Sequence, residues 1–310
     1  MLNFLKRSAV FLCSALVLYA GAVAFLGRFP KGKPLIYRTA DYYNWPGGDS
    51  WVRYREFNPN QHYDVVIIGS SHAYRGYNPF VFTGRGLAAF NLGSSAQAPL
   101  NTYWLVKEFL DSANTGLLIF DTYEGVMQGT ALESTADLTQ NQPSDAAAAG
   151  MAWSLHDLRG MNMVALRLLA QNSTPFYTDT AYAGLGFVSN PDSVKTDAPA
   201  PPQKPVLLAP CMQDFLEQTL ALCRERGIPV VISSHYARRD RRGSAHETLV
   251  RYLAHISRST GVSYLDFTDA PGIDDRNWFE DNSHLNTTGA RIFTEQLADT
   301  LEALGYLKRR

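Results

Sequence analysis

Cysteine is scarce in this chain of 310 residues, which carries only Cys13, Cys211 and Cys223. Cys13 falls in an apolar run, while Cys211 and Cys223 share one predicted helix and lie about 18 Å apart at the helical rise. A disulfide needs Cα atoms within about 7 Å, so all three are read as free thiols. An excess of one charge is also missing: 28 Lys and Arg stand against 29 Asp and Glu. That balance leaves no general basic surface to neutralise nucleic-acid phosphates, and no nucleic-acid partner is expected. Neither a Gly-x-Gly-x-x-Gly run nor a Walker-type loop occurs, so the sequence implies no nucleotide or other cofactor. The seven His lack metal-ligand spacing, so no metal is expected; His62, His156, His246 and His255 are read as structural. No repeat of fixed period is present, which excludes a solenoid. Charged residues make up 18% and hydrophobic ones 45% of the chain, a balance that excludes disorder. A chain this long buries about three-quarters of its unfolded surface and needs no staple.

One long apolar run stands at the N-terminus. Residues 8–27 contain no charge and are preceded by Lys6 and Arg7. Twenty such residues cross roughly 30 Å of hydrocarbon as a helix. Residues 1–28 are therefore expected to be a membrane anchor. The rival is a cleaved signal peptide, because Ala20-Gly21-Ala22 and Ala22-Val23-Ala24 are small-x-small sites, although the run exceeds a usual signal core. Arg28, Lys31 and Lys33 outnumber the basic residues before the run, and on charge alone that asymmetry puts the bulk of the chain inside the cell. Residues 29–60, rich in aromatics, Pro, Gly and Arg without a sustained period, read as a tether.

From residue 61 to 310 the pattern is that of one α/β domain. A β-branched run at 64–69 ends in Gly and has the character of a buried parallel strand. Further strands are expected at 88–92, 116–121, 228–233 and 262–267. Helices are expected at 100–112, 211–226 and 246–260, with a last one from Thr287 or Thr288. Strands alternating with helices imply a parallel sheet covered on both faces, a three-layer α/β/α domain. Residues 126–210 interrupt this order and read as a partly helical insertion, with a helix near 161–171 and a Pro/Ala surface loop at 198–205.

Ligand sites in such sheets lie at the carboxyl ends of the strands. Gly69-Ser70-Ser71-His72 follows the first strand directly. Two readings are open: an exposed nucleophilic hydroxyl beside unpaired helix N–H groups, or a helix cap or phosphate-binding turn. Asp281 and His284, three apart before the last helix, allow the same choice. The carboxylate either orients the imidazole toward a nucleophile or merely caps a helix. Arg238, Arg239, Arg241 and Arg242 form a basic cluster, read as a solvated loop in preference to an anion-binding site.

Taken together, Gly69-Ser70-Ser71, Asn91-Leu92-Gly93 and Asp281-x-x-His284-Leu285-Asn286-x-x-Gly289 resemble the SGNH/GDSL hydrolases. The resemblance covers about 63–125 and 213–304. It implies a flavodoxin-like fold and cleavage or transfer of acyl esters. It also assigns Ser71 as nucleophile, His284 as base and Asp281 as orienter, with the Ser71 and Gly93 N–H groups facing the oxyanion. The family's Gly-x-Asn-Asp block aligns with Asp121-Thr122-Tyr123-Glu124, so its oxyanion-binding Asn is absent and Tyr123 stands there, either as a hydroxyl donor or as a packing residue. His72, Arg75 and His235 are candidate substrate contacts. An anchor, a divergent first block and a lost Asn are also similar to membrane-tethered members that modify envelope polysaccharides. That likeness implies a domain outside the cytoplasm acting on an acylated carbohydrate or other envelope ester, against the charge count. A fold that has lost catalysis and binds carbohydrate or serves assembly is the alternative.

Overall fold

The computed structural model describes residues 1–27, 48–170, 181–194, 207–238 and 244–308. Helix α1 (Leu2–Gly27) holds the apolar run, and α2 (Gly48–Glu56) follows. Strand β1 (Val65–Ile68) leads to α3 (Ser71–Gly76) and α4 (Pro79–Thr83), β2 (Ala89–Asn91) to α5 (Pro99–Phe109), and β3 (Leu118–Asp121) to α6 (Glu124–Gln128). Next come α7 (Leu132–Asn141), α8 (Asp145–Ser154), α9 (Leu158–Ala170) and a small hairpin, β4 (Tyr182–Gly184) and β5 (Phe187–Val188). Helix α10 (Pro210–Glu225), β6 (Val230–Ser234), α11 (Ser244–Thr260), β7 (Ser263–Asp266) and α12 (Thr287–Ala303) complete the chain.

Strands β1, β2, β3, β6 and β7 form one sheet in the order β2-β1-β3-β6-β7, with all four pairings parallel. Only the hairpin separates this from the 2-1-3-4-5 order of flavodoxin-like sheets. Side chains alternate across the pleat. Val66, Ile68, Leu118, Phe120, Val230 and Ile232 face a core shared with α5, α10 and α11. Val65, Ile67, Ile119 and Val231 face a second core built with α3, α4 and α12. Both faces are buried, which is why β1 reads as four consecutive β-branched residues with no polar alternation.

Three expectations need correction. The stretch expected to be tether includes α2, and Tyr54 and Phe57 of that stretch belong to the main core. Arg53 is fully buried, donating through Nε to the Gly186 carbonyl at 3.0 Å and pairing with Asp49 at 2.7 Å. A segment held this way is part of the domain. The described residues of the 126–210 stretch hold more helix than the one read near 161–171, because α7 is polar in composition yet buried along most of its length. Its hydroxyls and amides bond inward: Thr135 Oγ1 accepts from Asn101 Nδ2, and Asp137 accepts from Ser50 Oγ at 2.8 Å. Finally, Arg238 is buried instead of solvated. Arg239, Arg241, Arg242 and the Pro/Ala stretch lie outside the described residues.

Candidate active site

The turn after β1 is forced by a close approach. A Cβ at Gly69 would fall 2.7 Å from Asp121 Cβ, at a φ of +154°, so only glycine lets β1 end against β3. Ser70 follows as N-cap of α3, its Oγ accepting from His72 N–H at 3.1 Å. Ser71 opens the helix, and its Oγ lies 2.7 Å from His284 Nε2. On the other ring nitrogen, His284 Nδ1 is 2.7 Å from Asp281 Oδ2. Asp281 Oδ1 accepts the backbone N–H groups of Ser283 at 2.7 Å and His284 at 2.8 Å. Burial alone would raise the Asp281 carboxyl, but the His284 contact and those two N–H groups outweigh it and hold it well below the usual carboxylate range. The carboxylate is thus fixed as an anion facing Nδ1, which leaves Nε2 to accept from Ser71.

The loop that carries this pair is held by the motif around it. Leu285 is buried in the core. Asn286 caps α12 by accepting from Gly289 N–H at 2.9 Å and ties back to the Asn277 carbonyl at 2.7 Å. A Cβ at Gly289 would lie 2.1 Å from the Trp278 carbonyl oxygen.

Other expected site residues fare differently. Gly93 is corrected: its N–H donates to Asn91 Oδ1 at 3.0 Å in a buried turn, so it is not open to an oxyanion. Arg75 is also corrected, since Nη1 pairs with the buried carboxylate of Glu280. Its charge is spent behind the triad, with Glu280 Oε1 standing 4.0 Å from His284 Nδ1. His235 is buried. Its Nδ1–H donates to the Tyr236 carbonyl at 2.5 Å, and burial lowers its pKa to about 4, so it is neutral. His72 sits at the centre of an aromatic cluster, stacked on Tyr123 at 3.9 Å, tilted against His235 at 4.3 Å and edge-on to His284 at 5.4 Å. Burial and its two histidine neighbours push its pKa well down. Tyr123 caps α6 without a side-chain cap bond, and its ring packs on His72.

A cavity of about 150 Å³ opens beside the triad loop, lined among others by His72, Tyr123, His235, Arg238, His246 and Ser283. His246 carries no obvious sequence signal yet joins three elements. It contacts Glu124 at 3.3 Å, Asp266 at 3.1 Å and Thr268 at 2.9 Å. Desolvation opposes its charge, but the two carboxylates prevail and raise its pKa to about 9, so it is an imidazolium at neutral pH. Asp121 is the other residue the sequence did not single out. It accepts from Tyr77 Oη at 2.9 Å directly beneath Gly69, and burial raises its pKa to about 7 against that hydrogen bond. Glu280, Asp281 and His284 bring potential metal-ligand atoms within 4.8 Å of one another. Within that group Glu280 is paired with Arg75, and His284 Nδ1 faces Asp281 Oδ2.

Fold and site together define a parallel α/β sheet with a hydrogen-bonded Ser-His-Asp line at its carboxyl edge. In fold the chain is similar to a protein from Desulfitobacterium hafniense DCB-2 assigned to the G-D-S-L lipolytic family, at 11% identity and a TM-score of 0.42, covering 76% of this chain and 98% of that one. It is similar to a GDSL-like lipase from Bacteroides thetaiotaomicron VPI-5482, at 11% identity and a TM-score of 0.41, over 83% of this chain and 98% of that one. It is also similar to an acetylxylan esterase from Geobacillus stearothermophilus, at 11% identity and a TM-score of 0.42, over 81% of this chain and 98% of that one. No family profile and no curated protein matches the chain.

Proposed function

We propose that this protein is a membrane-anchored serine ester hydrolase or O-acyltransferase acting on an acylated carbohydrate or another ester of the cell envelope, with its domain on the extracytoplasmic side. The support is the unbroken line Ser71 Oγ–His284–Asp281, with both contacts at 2.7 Å. In this mechanism Ser71 Oγ attacks the ester carbonyl carbon while its proton passes to His284 Nε2. Asp281 stabilises the resulting imidazolium without itself taking a proton. His284 then protonates the leaving alcohol as the C–O bond breaks, which leaves an acyl-Ser71. Water or a sugar hydroxyl, deprotonated by His284, attacks that ester, and the acyl–Oγ bond breaks as His284 returns the proton to Ser71; the first choice is hydrolysis and the second is transfer. The cavity lined by His72, Tyr123 and His235 among others is the candidate place for the acyl group or one edge of a sugar.

The oxyanion side is thin. With the Gly93 amide committed to Asn91, the Ser71 N–H and the Tyr123 hydroxyl remain as donors. That shortage favours substrates whose own binding energy holds the acyl group in place. It is also what favours the second reading, a catalytically silent envelope-binding protein on the same fold.

Fluorophosphonate labelling separates the two, because it requires an activated serine and no known substrate. Labelling of the wild type that Ser71→Ala abolishes, with thermal stability within about 1 kcal/mol, supports the enzyme. Unlabelled, folded wild type supports the silent protein, and undiminished labelling of Ser71→Ala refutes the assignment of the nucleophile.

A further inference from the structure

Helix α9 presents apolar residues on two sides. Met163 and Leu166 are buried, with Met163 packing beside Leu132 and Ala136 of α7. On the opposite side Leu158, Met161 and Leu168, spaced three and seven residues apart, are 64%, 42% and 58% exposed. At 100° per residue they fall on one stripe. Trp153, at the end of α8 just before, is 71% exposed. A helix of a soluble domain turns one apolar face inward and a polar face outward, so this outward stripe lacks a partner within the described residues.

Its position supplies one. Helix α9 is the element against which α1 packs, and the Tyr19 hydroxyl of α1 donates to Asn162 Oδ1 on α9. Asn162 flanks the stripe, one helical turn beyond Leu158. Helix α1 is apolar over Leu2–Val23, and apart from Val23 its apolar side chains there are left largely bare by the protein. Tyr19 lies near the carboxyl end of the window, at the level where tyrosine and tryptophan collect in membrane interfaces. The bare surface of α1 and the outer stripe of α9 thus belong to helices in direct contact, with Trp153 near the end of the helix that precedes α9.

We infer that the outer face of α9, with Trp153, is an interfacial membrane-binding surface that seats the domain on the bilayer beside its own anchor. The inference rests on α1 being embedded in the membrane. The occupant is lipid at the headgroup–acyl boundary, where a helix with an apolar stripe buries its side chains part-way while Trp153 places its ring in the interface.

The test uses the full chain reconstituted in phosphatidylcholine vesicles, with and without bromine on the upper acyl chain, and compares wild type with Trp153→Phe. Trp153 is one of five tryptophans, and at its exposure the substitution leaves the core untouched. Co-flotation with vesicles and a clear loss of bromolipid quenching in Trp153→Phe are expected, with quenching independent of the protein-to-lipid ratio. Equal quenching in both proteins, with flotation intact, overturns the surface and leaves the anchor standing. Failure to float overturns the anchor and the surface together. Quenching that falls as protein is crowded into the vesicles overturns lipid as the occupant in favour of a second copy of this chain.

Discussion

Each of the two sequence motifs left a choice between a helix cap and a contact with a distant side chain, and in both the structure places the two on different atoms. Ser70 caps α3 while Ser71 meets His284. Asp281 uses Oδ1 for two backbone amides and Oδ2 for the imidazole. Cap and imidazole contact are not rivals here, since a carboxylate pinned by backbone N–H groups is better fixed in direction than one held by the imidazole alone. The same scale carries the weak point. With Gly93 unavailable, Tyr123 and Thr122 carry the side-chain hydroxyls at the block where an amide is expected, and the Tyr123 hydroxyl makes no hydrogen bond among the described residues. Tyr123→Phe should lower kcat about tenfold or more, a loss of at least ~1.4 kcal/mol of transition-state stabilisation, in assays on the preferred ester. An unchanged kcat makes Tyr123 a packing partner of His72 only. Asp121 gives a pH signature. Its folded pKa of about 7 lies above the ordinary 3.8, so the folded chain binds a proton that the unfolded chain has released. Stability from this group therefore declines as pH rises between those values and is flat above about 7. Chemical denaturation should show wild type losing up to about 4 kcal/mol relative to Asp121→Asn between pH 4 and pH 8. A pH-independent difference removes Asp121 from the account.

Among elements, α2 and α7 show how a helix can be invisible in a hydrophobic pattern and still be buried. In α2 the fully buried residue is an arginine, which reaches Gly186 of the hairpin and lies 4.6 Å over the Tyr74 ring. Strand β2 closes one edge of the sheet, and Asn91 N–H, at its carboxyl end, donates to the Leu185 carbonyl at 2.9 Å, so the same hairpin shields that end. Arg53→Ala leaves Asp49 and the Gly186 carbonyl without their partner and should cost about 3 kcal/mol, read as a lowered denaturation midpoint with unchanged slope. A cost below about 1 kcal/mol would mean that α2 is only lightly docked. In α7 burial pushes Asp137 up to about 6, while Ser50 and Asn141 donate to its carboxylate. Ser134, Thr135 and Asn141 are buried as well. Periodicity looks for apolar residues, and a face closed by hydrogen bonds gives it nothing to count. The five sheet strands, by contrast, were legible within a residue or two at each end, most plainly β1 and β3, which are buried on both faces and almost wholly apolar.

At the scale of the molecule, α1 and the domain pose a single question of attachment. An exposed apolar helix of 22 residues buries far more surface in lipid than any peripheral contact. The full chain should therefore sediment with membranes and stay there through high salt and carbonate. Recovery of a soluble form beginning near Phe25 would show that α1 is a signal sequence that is removed. The sequence by itself determined the parallel α/β architecture and the apolar N-terminal run, because burial on two faces and a membrane-length span are local patterns, while Ser71, His284 and Asp281 were picked out only through a resemblance of short motifs. Only the tertiary structure decided that Gly93 is occupied, that Arg75 serves Glu280, that His246 is a bridging cation and that Asp121 lies beneath the turn. Each of these depends on which group arrives from a distant segment, such as Glu280 at Arg75 across 205 residues. A side chain's charge state and free valences are set by those neighbours in space, which no spacing along the chain records.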